Sequence, residues 1–72
     1  MRILGIDPGL ATMGWGVVDA EGGRQQLVQC GALITPPDMP FPRRLHHLFL
    51  GVRELIVTYR PEEIVFEELF FA

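Results

Sequence analysis

The chain has a single cysteine, Cys30, so no disulfide can close within its 72 residues. Cys30 reads as a small apolar strand residue rather than a catalytic thiol, and such usage suits a reducing, cytoplasmic setting. Lysine is absent: the six basic residues are all arginine, and nine acids outweigh them to a formal net charge of −3. A nucleic-acid binder normally carries a basic footprint, so these residues alone do not supply one. No apolar run is long enough to span a membrane. The longest candidate, Leu45 to Val57, is broken by His46, His47, Arg53 and Glu54. Asp7 interrupts the opening apolar run too early for a secretory leader. Repeats and low-complexity segments are lacking as well. A hydrophobic content of 49% says globular, and 72 residues allow one domain at most. A chain of this size buries only roughly 60% of its unfolded surface, so without disulfides or metal its stability is marginal.

The stretch Arg2 to Gly9, RILGIDPG, is an alternating apolar strand that delivers Asp7 to its carboxyl end. Pro8 has no N–H to give a sheet and Gly9 accepts positive φ, so the strand stops there and the chain turns. Asp-Pro-Gly is also common turn chemistry, and taken alone that is the simpler reading of Asp7. Met13 to Ala20 resumes strand character. Trp15, Val17 and Asp19 fall on one face and Gly14, Gly16 and Val18 on the other, which leaves one side nearly bare. Strand glycines mark a close approach of backbone or ligand, or a bulge. Glu21-Gly22-Gly23 is a turn, and Arg24 to Ile34 is a third strand with a bulge predicted at Gly31. Short loops make these three strands an antiparallel meander.

Thr35 to Pro42 holds four of the six prolines and forms a rigid connector with Pro42 near the first turn of a helix. Leu45, Leu48, Phe49, Val52, Leu55, Ile56 and Tyr59 recur at spacings of three and four, one continuous helical face. Leu50 and Val57 lie off that stripe, so a second surface is expected to cover this helix. His46 and His47 lack a partner at metal-ligand spacing and read as surface residues. Pro61 ends the helix. The apolar run Ile64-Val65-Phe66 then has the pattern of a strand buried on both faces, and a strand reached through a helix lies parallel to an earlier one by a right-handed crossover. Beside the first strand it would set Asp7 next to Glu67 or Glu68 at the rim where α/β sheets bind ligands. A sheet with one helix leaves one face open, so the sequence reads as a fragment lacking further helices and a fifth strand.

Two carboxylates about 5 Å apart repel by roughly 3 kcal/mol at an effective dielectric near 20, which invites a proton or a cation. Hard oxygen donors without His or Cys suit Mg²⁺ or Mn²⁺, and two such ions can drive phosphodiester hydrolysis.

ILGIDPG, the glycines flanking Trp15, a helix ending in Tyr59-Arg60-Pro61 and the strand VFEELFFA together resemble the amino-terminal part of the RuvC family of Holliday-junction endonucleases. The match covers nearly the whole chain, in order. The resemblance implies an α/β, ribonuclease H-like mixed sheet of order 3-2-1-4-5 in the full domain. Here it would be represented by β-β-β-α-β, with residues 1–72 as the truncated amino-terminal part of one nuclease domain. It also implies metal-dependent cleavage of four-way junction DNA in recombination and repair, a homodimer, and the branch-migration partners RuvA and RuvB. Asp7 matches the family's first catalytic aspartate and Glu67 its glutamate, both holding Mg²⁺ or Mn²⁺, two ions per site. Glu68 takes no catalytic role. Phe70 matches an aromatic position used against bases at the crossover, although core packing uses the same side chain. The family's carboxyl-terminal aspartates and main basic surface have no counterpart here, so the 72 residues alone are expected to be inactive. Two other classes stay open: a nucleotide-binding domain of the sugar-kinase or actin type, and a non-catalytic module of the same fold.

Overall fold

The computed structural model describes residues 1–9 and 11–67. Strands β1 (Arg2–Asp7), β2 (Thr12–Glu21) and β3 (Arg24–Ile34) precede helix α1 (Phe41–Tyr59) and strand β4 (Glu63–Phe66). The four strands form one sheet of order β3-β2-β1-β4. β1 pairs antiparallel with β2 and parallel with β4, while β2 pairs antiparallel with β3. This is the meander and parallel return that the sequence predicts, with β3 ending at the residues expected.

The β2–β3 hairpin closes on Gly22 and Gly23, whose φ values are +53° and +83°. Two consecutive positive φ angles fit a two-residue hairpin whose twist matches its strands. The predicted bulge at Gly31 is corrected: Gly31 pairs regularly with Trp15. The register instead shifts between Val17 and Val18, whose partners are Gln29 and Leu27, leaving Val28 as the extra residue. A bulge of this kind does not require glycine. Gly31 has another reason to lack a side chain, since a Cβ there would lie 2.9 Å from Trp15 Cζ2. The indole occupies that space and reaches Tyr59 on α1, with ring centroids 5.8 Å apart.

α1 begins at Phe41 with proline in its first turn and no side-chain cap. Arg44 ties the helix to the proline connector, donating from Nε to the Met39 carbonyl at 2.8 Å and from Nη2 to the Pro37 carbonyl. At the other end Arg60 turns into left-handed geometry at φ 51° and its N–H closes on the Ile56 carbonyl. Pro61 denies that residue right-handed helical geometry.

Leu4 and Ile6 of β1, Val17 of β2 and Leu55 of α1 are buried together, with Met13, Trp15, Leu33, Val52 and Tyr59 packed around them. Each such aliphatic contributes about 1.5–3 kcal/mol on burial. All of this lies between α1 and one face of the sheet, and the molecule is only 15 Å through its thinnest dimension. The double burial expected for Ile64, Val65 and Phe66 is absent among the described residues, where β4 is an edge strand and the three are 39%, 47% and 60% exposed. The second covering surface expected over Leu50 and Val57 is absent among the described residues, where both are exposed, and so are Leu45, Phe49 and Ile56 from the stripe itself. Among the described residues no helix is long and apolar enough to cross a membrane.

Candidate functional site

Strand alternation decides what stands on the sheet face away from α1. Leu4 and Ile6 point into the core, so Ile3, Gly5 and Asp7 take the opposite face. In the parallel ladder Gly5 pairs with Val65 and Ile6 with Phe66. The pairing runs one residue further, because the Glu67 N–H donates to the Ile6 carbonyl at 3.0 Å. Asp7 and Glu67 are thus next in register on adjacent strands, whose spacing is about 4.8 Å. Both lie two residues beyond a Gly5–Val65 pair, so both carboxylates belong to one face, at one rim. They line a single concavity of about 810 Å³ together with Gly5, Gly14 and Gly16.

The floor beside them is bare. Gly14 pairs with Asp7 and Gly16 with Gly5. A Cβ would meet nothing nearer than 3.8 Å at Gly5, 3.7 Å at Gly14 and 3.9 Å at Gly16. None of the three has a positive φ. Neither packing among the described residues nor backbone conformation therefore demands glycine there, although strand glycines are costly.

Asp7 and Glu67 are exposed, and their donors are hard carboxylate oxygens. Among the described residues no group of three or more His, Cys, Asp or Glu is placed to hold a metal ion. Two carboxylates nevertheless fit Mg²⁺, which is commonly held by one or two carboxylates with waters and substrate phosphates completing the shell. His46 and His47 are exposed on α1, which packs against the other face of the sheet. Cys30 is an exposed free thiol on β3 beside Gly16. Glu68 and Phe70 lie outside the described residues.

At the opposite end of the sheet, Arg2 and Asp19 form a contact that no sequence motif announces. Arg2 donates from Nε and Nη2 to the two Asp19 carboxylate oxygens at 2.8 and 3.0 Å, and from Nη1 to the Tyr59 carbonyl at 3.1 Å. That carbonyl belongs to the last turn of α1, where orphan acceptors need donors. The guanidinium holds the Asp19 carboxyl below the usual carboxylate range, and Asp19 in turn raises Arg2. The signal lies in the pairing of Arg2 with Asp19 across β1 and β2, which depends on the hairpin register.

Residues 3–72 match the family model described as crossover junction endodeoxyribonuclease RuvC. A relative of that name from Rubrobacter xylanophilus is 62% identical over 69 residues, covering 96% of this chain and 38% of its own length. Another from Chloroflexus aggregans is 56% identical over 71 residues, covering 99% and 43%. The chain thus spans about two fifths of the length of these relatives. Among solved structures, Thermus thermophilus RuvC in complex with a Holliday junction substrate superposes with a TM-score of 0.88 at 34% identity, covering 100% of this chain and 46% of that one.

Proposed function

This chain belongs to the RuvC family of crossover junction endodeoxyribonucleases, and on that premise we propose that the protein it represents is a Holliday-junction resolvase, a hydrolase of phosphodiesters at four-way DNA junctions. The observation that carries the reading is the meeting of Asp7 and Glu67 on one face of one rim, beside a glycine floor that leaves room for another backbone. Asp7 and Glu67 are the residues that hold magnesium or manganese, two ions per site with further ligands from residues beyond 72. Such ions supply activation of water and stabilisation of the leaving oxygen. The part of this chain is to fix two carboxylates on paired strands, so that the scissile phosphate meets them without either element reorganising. The bare floor keeps side chains from blocking that approach.

The finer parts of the reading follow the family. Residues 1–72 are the amino-terminal part of one nuclease domain, Phe70 acts at the junction's crossover, the working form is a homodimer meeting RuvA and RuvB, and its place is the cytoplasm. In the full-length protein, Asp7→Asn or Glu67→Gln should lower cleavage of a synthetic four-way junction by about a hundred- to a thousandfold or more, the loss of one central electrostatic group setting the lower end. Junction affinity measured in gel shifts should stay near wild type, because phosphate contacts elsewhere supply it. Equal loss of binding and cleavage would overturn the assignment. Glu68→Gln should retain most activity, since the family does not require an acid at that position. Tight ATP binding without metal-dependent junction cleavage would favour the nucleotide-binding alternative.

A further inference from the structure

Gly9 is glycine for want of space. A Cβ built on it would overlap the Thr12 carbonyl oxygen and lie 3.2 Å from the carbonyl carbon and 3.9 Å from the Thr12 nitrogen. Its φ is not positive, since the positive-φ glycines are Gly22 and Gly23. The absent side chain thus lets the start of β2 close against the turn that follows Asp7. An alanine would force the two apart by roughly 1 Å to restore ordinary non-bonded contact.

The two sides of the turn are not equally free to yield. Thr12 is paired with Ile34, and the Ala11 carbonyl accepts the Thr35 N–H at 3.0 Å, with Thr35 only 2% exposed. On the other side stands Pro8, which has no N–H for the ladder and whose ring fixes φ. A displacement at residue 9 is therefore transmitted through a stiff link to Asp7, two residues upstream. Mg²⁺ tolerates little departure from octahedral geometry at 2.0–2.1 Å.

We infer that Gly9 is a positioning residue: by admitting the Thr12 carbonyl to the turn, it sets where the Asp7 carboxylate stands relative to Glu67. The inference rests on the reading of Asp7 as a metal ligand. Its test is Gly9→Ala in the full-length protein, read by Mn²⁺ titration in electron paramagnetic resonance without DNA, and by kcat and KM on a synthetic junction. The Mn²⁺ dissociation constant should rise about 10- to 100-fold, the usual effect of disturbing a ligand's support. kcat should fall by a similar factor while KM and metal-free junction binding hold. Wild-type Mn²⁺ affinity and kcat in Gly9→Ala would overturn the inference.

A second variant covers the case in which alanine prevents folding. Insertion of one glycine after Gly9 lengthens the turn without a clash and should weaken Mn²⁺ binding comparably; wild-type affinity in that variant would likewise overturn the inference. Adding Gly9→Ala to the insertion should cost little more, because the two act through one closure. Asp7→Asn separates the two levels. If that variant binds Mn²⁺ and cleaves as wild type, the metal-ligand reading fails whatever Gly9 does. If it is inactive while Gly9→Ala is normal, the positioning role alone fails.

Discussion

Arg2 joins three parts of the chain through one side chain: its own strand, Asp19 on β2 and the last carbonyl of α1. Because Asp19 is held below its ordinary range in the folded state, the stability it contributes is present above the unfolded carboxyl value of about 3.9. That contribution is lost as pH falls through the lower folded value. Arg2 is raised, so its contribution is complete below its unfolded value and is lost only in strong alkali. The full-length protein should therefore lose melting temperature below about pH 4 more steeply than its Asp19→Asn variant, and thermal melts across acid pH check this. Both side chains are about a third exposed, at 35% and 39%, so solvent screening keeps the difference modest. That Asp7 would meet Glu67 or Glu68 was legible because a carboxylate at each strand end and a helical crossover bring them to one rim, while the choice of Glu67 came from the family resemblance. Gly9 and the Arg2–Asp19 pair were not, since each depends on which backbone or side chain arrives from elsewhere in register.

α1 and the three-strand meander were legible almost to the residue, for periodicity and turn chemistry are local signals. The bulge was not. Gly31 carries the mark of an irregularity, yet the irregularity is at Val28, and the glycine answers to the bulk of Trp15. Gly31→Ala should cost about 1–3 kcal/mol, the range for overpacking a filled site, because the indole cannot move away without pushing on Tyr59. Truncating Leu4, which is fully buried, should cost about 2–5 kcal/mol. Chemical denaturation of the full-length variants measures both. A loss at Gly31 much smaller than at an exposed strand position such as Cys30→Ala would show that the indole yields freely.

Among the described residues the molecule is a sheet with one helix on one face, and it leaves many large apolar side chains uncovered. Leu45, Phe49, Ile56, Val57 and the three β4 residues are all exposed, apolar surface of the kind that favours association. The burial pattern of β4 was misread from sequence alone because an apolar run reports what a strand is built to meet, not what the same 72 residues provide. Made alone, the chain should be marginally folded, self-associate in sedimentation, and leave junction DNA uncut in Mg²⁺; a cooperatively melting monomer would contradict the first two expectations. Trp15 offers an optical handle on this. It is the chain's one tryptophan, seated over Gly31 and beside the Tyr59 ring on α1. Its emission therefore reports whether helix and sheet are closed on each other, and a red shift should accompany their parting before the strands themselves separate.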